Sequence, residues 1–239
     1  MTKQRPFAVF DIDGTLIRWQ LFHAIVHKLG QEGYVGPEHH QSIKTARMHW
    51  KNRETTDEFS AYEQLLITTY LSLLPTINPH DHARMIDEVV AEYKDQTFTY
   101  TRELVRSLKE QGYSLFAVSG SHQEAVERVA RHHGFDAAIG CQFFTQDGHF
   151  TGEYFTPIHD KKAALEQLVA QHSSTYAGSY AVGDSLSDAA MLRAVEHPIA
   201  FNPDKKLYTE ARANHWPIVV ERKNVIYELS PDKTDYKLS

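Results

Sequence analysis

The sequence predicts an α/β fold: an open, parallel sheet flanked by helices, with a small all-helical segment inserted after the first strand. Three observations carry this expectation. Short apolar runs, FAVF at 7–10, LFAV at 115–118 and YAV at 180–182, each stop at small or acidic residues, as buried parallel strands do. The stretches between them repeat apolar residues at helical spacing. Residues 18–96, by contrast, contain no strand-like run and break at Gly30, Gly33, Gly36-Pro37, Pro75 and Pro79 into three or four helical pieces.

Taken in order, FAVF is the first strand and leads straight into FDIDGTL at 10–16. In the insertion the clearest helix covers 57–74. There Phe59, Tyr62, Leu65, Leu66, Thr69, Tyr70 and Leu73 share spacing behind a Thr55-x-x-Glu58 capping box. Around 101–111, Leu104, Val105 and Leu108 share a face before the LFAV strand. Ser121-x-x-Glu124 reads as a second capping box, opening a helix over 122–133 with Ala125, Val126, Val129 and Ala130 inward. QFFTQ and HFTGEYF flank Asp147-Gly148, a strong two-residue hairpin signal. A helix over 160–170 buries Ala164, Leu165, Leu168 and Val169, the YAV strand follows, and PIAF at 198–201 adds another strand. The polar tail from about 222 is expected to be mobile. The implied domains are a core of residues 1–17 and 97–239 and a helical domain of residues 18–96.

Composition narrows the function classes. A chain of 239 residues with 41% hydrophobic and 23% charged residues is an ordinary globular protein. A net charge of −6 gives no footprint for nucleic acid. One cysteine, Cys141, forms no intrachain disulfide and suits a reducing compartment. The start lacks a signal-peptide h-region, and LLITTYLSLL at 65–74 is too short and hydroxyl-rich to span a bilayer, so a cytoplasmic protein without membrane insertion is expected.

The chemistry is concentrated where strands end. Asp11 and Asp13, one residue apart, would repel unless neutralised. An EF-hand loop does not explain them, because Gly14 is fourth rather than sixth. Ligands of open α/β sheets bind outside the carboxyl ends of strands, and Asp11, Ser119 and Asp184 each follow an apolar run. GDSLSD adds Asp184 and Asp188 to the acids. Four carboxylates without His or Cys nearby favour Mg²⁺. Ser119-Gly120 at a helix start and Lys161 supply the opposite character: a hydroxyl, free amides and an ammonium for an oxyanion. Together they describe a phosphate site.

FDIDGTL, SGS, the KKAAL lysine and GDSLSDAAML, in that order, resemble the four motifs of the haloacid dehalogenase superfamily. The likeness is to the phosphoserine-phosphatase-like branch, with a Rossmann-like core and a helical cap after motif one. The resemblance implies a Mg²⁺-dependent phosphatase for a small phosphorylated metabolite. Asp11 would be the nucleophile and Asp13 the acid and then the base. Mg²⁺ would be held by Asp11, the Asp13 backbone carbonyl and Asp184. Ser119, Gly120 and Lys161 would bind the phosphoryl group, with Asp188 supporting the metal or Lys161. Lys162 competes for the lysine role, and Lys161 fits the family's spacing to Leu165 better. An acid at Asp13 points away from carbon-halogen chemistry, and no cap lysine is marked out for phosphonate cleavage. A phosphotransferase using the same intermediate and a catalytically silent phospho-ligand-binding member remain as alternatives. Gln20 stands where phosphoserine phosphatases carry a Glu for the substrate amine, and Ser187 where they tend to carry Asn, which argues against phosphoserine itself. Cap aromatics such as Trp50 and Tyr62 are read as packing rather than as a cage for a quaternary ammonium.

Overall fold

The structure, a computed structural model, describes residues 4–52, 58–232 and 235–238. The Thr55-x-x-Glu58 capping box rests on Thr55 and on the Glu58 side chain, and so lies outside the described residues. The chain divides into two compact units, residues 1–20, 92–141 and 156–239 forming the first and residues 21–91 and 142–155 the second.

The first unit is the expected α/β sheet. Its strands are β1 (Pro6–Phe10), β2 (Ser114–His122), the first half of β3 (Ala137–Gln146), β5 (Thr175–Gly183), β6 (His197–Phe201), β7 (Ile218–Arg222), β8 (Val225–Asp232) and β9 (Asp235–Leu238). They lie in the order β3-β2-β1-β5-β6-β7-β8-β9. Pairing is parallel from β3 to β7 and antiparallel across β7, β8 and β9. β1 is central, with Phe10 beside both Ala117 and Val182, so the chain leaving β1 emerges between its two neighbours. Both faces are covered, which is why the strands read as unbroken apolar runs rather than alternating ones. On one face Phe7, Val9, Phe116, Val118 and Ala181 pack with Leu165 and Leu168 of α7 (Lys161–Gln171) and with Met191 and Leu192 of α8 (Ala189–Leu192). Each such side chain stabilises the fold by about 1.5–3 kcal/mol on burial.

Two expectations need correction here. The tail is not a mobile segment, because Val225–Asp232 and Asp235–Leu238 extend the sheet as β8 and β9. Their backbone hydrogen bonding outweighs their polar composition. The Ser121-x-x-Glu124 box does not form either. β2 runs on through Ser121, and α6 (Gln123–His132) starts after an N-cap, His122, that makes no side-chain cap bond. The Ser121 amide instead donates to Ser119 Oγ at 3.1 Å. The inward face of α6 is as read, with Ala125, Val126, Val129 and Ala130 buried. Two further helices complete this unit, α5 (Thr99–Glu110) and α9 (Lys205–Ala213).

The second unit contains α1 (Leu21–Gln31), α2 (Pro37–Asn52), α3 (Glu58–Leu73) and α4 (Pro79–Tyr93), of which residues up to 91 belong to it. With them goes the hairpin of the second half of β3 and β4 (His149–Phe155), a stretch that the sequence places within the core segment. Asp147 and Gly148 both take left-handed φ, 50° and 77°, as a two-residue primed turn demands. Tyr70, fully buried, is flanked by the rings of Phe22 and Phe143, and its hydroxyl meets His82 Nε2 at 2.8 Å. Trp50 stacks on Tyr62, and Tyr62 stands edge-on to His23. These rings pack against one another as a small core.

Candidate active site

The site forms at the carboxyl ends of β1, β2 and β5 within the first unit. Asp11 is the first residue past β1, and its amide still donates to the Val182 carbonyl of β5 at 2.9 Å, carrying the pairing one step beyond the strand. The loop then closes on itself: the Leu16 and Ile17 amides both donate to the Ile12 carbonyl at 2.9 Å. Gly14 makes that turn with φ +78°, a conformation a side chain resists. It must also be small, because a Cβ there would collide with Asp184 Oδ2. The glycine answers to two demands at once, backbone curvature and room for a carboxylate.

Lys161 opens α7 behind its N-cap Asp160, whose side chain accepts from the Ala163 amide at 2.9 Å. From there Lys161 Nζ reaches Asp11 Oδ1 at 2.7 Å and Asp188 Oδ1 at 2.6 Å, with its side chain 2% exposed. The second oxygen of Asp188 accepts from the Asp184 and Ser185 amides, both at 3.0 Å. One carboxylate therefore fixes the lysine and shapes the GDSLSD turn. Lys162 lies outside this arrangement, exposed and paired with Glu166 at 3.4 Å. Ser119 is fully buried and donates to Asp13 Oδ2 at 2.8 Å. Gly120 lies under Ile158, where a Cβ would come within 2.6 Å of the Ile158 Cδ1 methyl.

Carboxylate oxygens of Asp11, Asp184 and Asp188 all lie within 4.8 Å of one another, the one such group of potential metal ligands among the described residues. The Asp13 side chain is outside that trio and faces Ser119. Burial pushes Asp11 up to about 7; Lys161 opposes this, while Asp188 and Asp13 add to it. Asp184 is raised well above its ordinary value, first by burial and then by Asp11 and Asp188. Burial pulls the Lys161 ammonium down, but Asp11 and Asp188 more than offset it and hold it above the ordinary lysine value. The charges do not balance: one ammonium faces three clustered acids. Three hard oxygens that repel one another, on the buried Asp11 and Asp188 and the half-buried Asp184, fit a divalent cation of the Mg²⁺ kind, and the missing side chain at Gly14 leaves Asp184 its place.

Asp204 was not legible as a site residue. Its amide donates to the Asp184 carbonyl at 2.8 Å while its side chain caps α9 through the Leu207 amide at 2.6 Å. The Asn-Pro-Asp before a helical pattern is the signal that could have marked this cap. Gln20 lies close to the site, its Nε2 3.5 Å from where a Cβ on Gly14 would be.

The family model for haloacid dehalogenase-like hydrolases matches residues 8–193. A histidinol-phosphatase of Neisseria meningitidis serogroup C is 30% identical over 225 residues, 90% of this chain and 98% of that protein. A Mycobacterium tuberculosis phosphoserine phosphatase, SerB2, is 27% identical over 89% of this chain and 48% of its own length. Among solved structures, a Bordetella pertussis protein of unknown function superposes with a TM-score of 0.72 at 23% identity, covering 90% of this chain and 98% of that one. A phospho-aspartyl intermediate analogue of phosphoserine phosphatase superposes with a TM-score of 0.64 at 21% identity, over 93% and 96%. At these identities the superpositions establish the fold.

Proposed function

The chain belongs to the haloacid dehalogenase-like hydrolase family, and on that premise we propose that it is a Mg²⁺-dependent phosphomonoesterase working through an aspartyl-phosphate on Asp11. The observation that carries this reading is the contact of Lys161 with Asp11 at 2.7 Å beside a cluster of three acids, two of them buried. Such a site can take in a phosphate beside a carboxylate without mutual repulsion deciding the outcome.

In the first half-reaction a carboxylate oxygen of Asp11 attacks phosphorus, forming the acyl-phosphate bond as the ester P–O bond breaks. Asp13 gives its proton to the departing oxygen, and Ser119 Oγ, 2.8 Å from Asp13 Oδ2, orients that acid. In the second half-reaction Asp13 takes a proton from water, whose oxygen attacks phosphorus and frees Asp11 and inorganic phosphate. The Gly120 amide and Lys161 bind the phosphoryl oxygens throughout, and the one hydroxyl hydrogen of Ser119 joins them only by turning away from Asp13. Asp11, Asp184 and the Asp13 carbonyl would hold Mg²⁺, with Asp188 supporting it, and the ion supplies charge neutralisation at the nucleophile.

For the substrate we favour a small amino-alcohol phosphate other than phosphoserine. The histidinol-phosphatase relative is matched over nearly its whole length, and Gln20 offers a neutral amide where a carboxylate would meet the phosphoserine amine. Turnover of an aryl phosphate with and without Mg²⁺, followed by a comparison of histidinol phosphate with phosphoserine, tests the reading. Asp11→Asn should abolish turnover, lowering it at least about a thousandfold, and acid-quenched wild type should carry phosphate on the Asp11 peptide. Full activity in Asp11→Asn would overturn it.

A further inference from the structure

The Asp11–Asp13 loop is held from outside by a second set of contacts. The Arg18 amide donates to the Gln96 carbonyl at 2.8 Å and the Phe98 amide to the Leu16 carbonyl at 3.0 Å, so 16–18 and 96–98 form a short antiparallel ladder. Thr101 Oγ1 donates to the Thr15 carbonyl at 2.9 Å. The loop is thus as fixed as the start of α5. That helix lacks a cap of its own, since its N-cap Phe98 offers no side-chain acceptor and leaves the first amides unsatisfied.

Glu221 on β7 fills that role. Its carboxylate accepts from the Thr99 amide at 3.0 Å and the Tyr100 amide at 2.8 Å. It also pairs with Arg18 Nη2 at 2.9 Å, while Arg18 Nε donates to the Thr97 carbonyl at 2.8 Å. The Glu221 side chain is 2% exposed. Its charge is met by one guanidinium and by the positive end of α5. Its own amide is anchored on Asn202 Oδ1 at 2.9 Å. One buried carboxylate therefore grips Arg18, on one strand of the ladder, and the first turn of α5, which continues from the other, and does so from a segment beyond residue 193, where the family match ends.

We propose that Glu221 is a positioning residue for the Asp11–Asp13 loop, acting through Arg18 and the start of α5. Only the kinetic arm of its test rests on the phosphatase reading. Residue-level hydrogen exchange and steady-state kinetics on the full chain are compared for wild type, Arg18→Met, Glu221→Gln and the double variant. The amides of Gly14, Leu16 and Ile17 should exchange about tenfold faster in each single variant. On an aryl phosphate, kcat should fall about tenfold with KM changed less than about twofold. The double variant should be no worse than the singles, because both break one linkage. Faster exchange confined to Thr99 and Tyr100, or kcat effects that add in the double variant, would overturn the proposal and leave Glu221 as a helix cap alone. Arg18, with its side chain 46% exposed, can be replaced without emptying a buried space, so it carries the test should Glu221→Gln fail to fold. If wild type turns over no phosphate ester, the phosphatase reading fails, and the exchange data still decide this one.

Discussion

Replacing Lys161 with Met removes an ammonium whose Nζ lies 2.7 Å from Asp11 and 2.6 Å from Asp188, among side chains 2%, 6% and 0% exposed. Methionine keeps an unbranched apolar stem, one atom shorter, and loses the charge and the hydrogen bonds that Nζ donates. Breaking a buried ion pair by deleting one partner costs about 3–5 kcal/mol. In a unit of this size that lowers Tm by about 6–20 °C. The loss has a pH signature. Asp11 already sits at about 7 with Lys161 present, and without it the folded value rises further above the unfolded value of about 3.9. The folded variant then binds more protons than the unfolded chain across that window, so its stability falls as pH rises through it. Calorimetry in EDTA at pH 5, 7 and 8 should show the variant furthest below wild type at pH 8 and closest at pH 5. A Tm within about 2 °C of wild type at pH 8, or a deficit that widens on acidification, would refute the reasoning.

Gly14→Ala combines a left-handed φ, costing about 1–2 kcal/mol, with a Cβ placed on Asp184 Oδ2; the Mg²⁺ concentration for half-maximal activity should rise about 10- to 100-fold. His23 and His82, buried in the helical unit, are both held down to about 4 by burial, with Arg47 contributing at His23. Their folded values lie below the unfolded value of about 6.5, so stability is complete above 6.5 and is lost as pH falls toward 4, by about 2 kcal/mol per ring at pH 5. Circular dichroism melts between pH 7 and 5 measure this loss. Among the described residues His23 Nε2 has no hydrogen-bond partner, so His23→Phe should leave the pH 7 melt unchanged and recover about half of the acid loss.

The strands that carry the site were readable because burial on both faces writes them as apolar runs, and the acids that follow stand out against that background. FAVF, LFAV and YAV became β1, β2 and β5, and PIAF became β6. The helical segments at 101–111, 122–133 and 160–170 were found by period, and the Asp147-Gly148 turn by its chemistry. What stayed hidden depends on long-range partners. β8 and β9 carry Glu228, Asp232, Asp235 and Lys237, and largely exposed antiparallel strands look like a polar tail until a neighbouring strand supplies their hydrogen bonds. Glu221 acts through backbone amides distant in sequence, and the Asp204 amide reaches the distant Asp184 carbonyl, contacts that no local pattern announces. Ser121 shows the opposite error: a valid local capping signal is overridden because β2 continues to His122, one residue further, and Ser119 Oγ satisfies the Ser121 amide.

The central place of β1 has a consequence for how the molecule comes into being on the ribosome. Its neighbour β5 is made about 170 positions later, roughly 9–34 s at the usual rate of synthesis. Through that interval FAVF has no partner on one edge, and the oxygen that will receive the Asp11 amide, on Val182, does not yet exist. The nascent chain thus passes through a stage in which the Asp11–Asp13 loop cannot be closed, and a sticky edge waits in the open. Slowing translation between residues 120 and 175 should therefore raise chaperone association and aggregation more than slowing it after residue 183, a difference that ribosome-bound pull-downs can read.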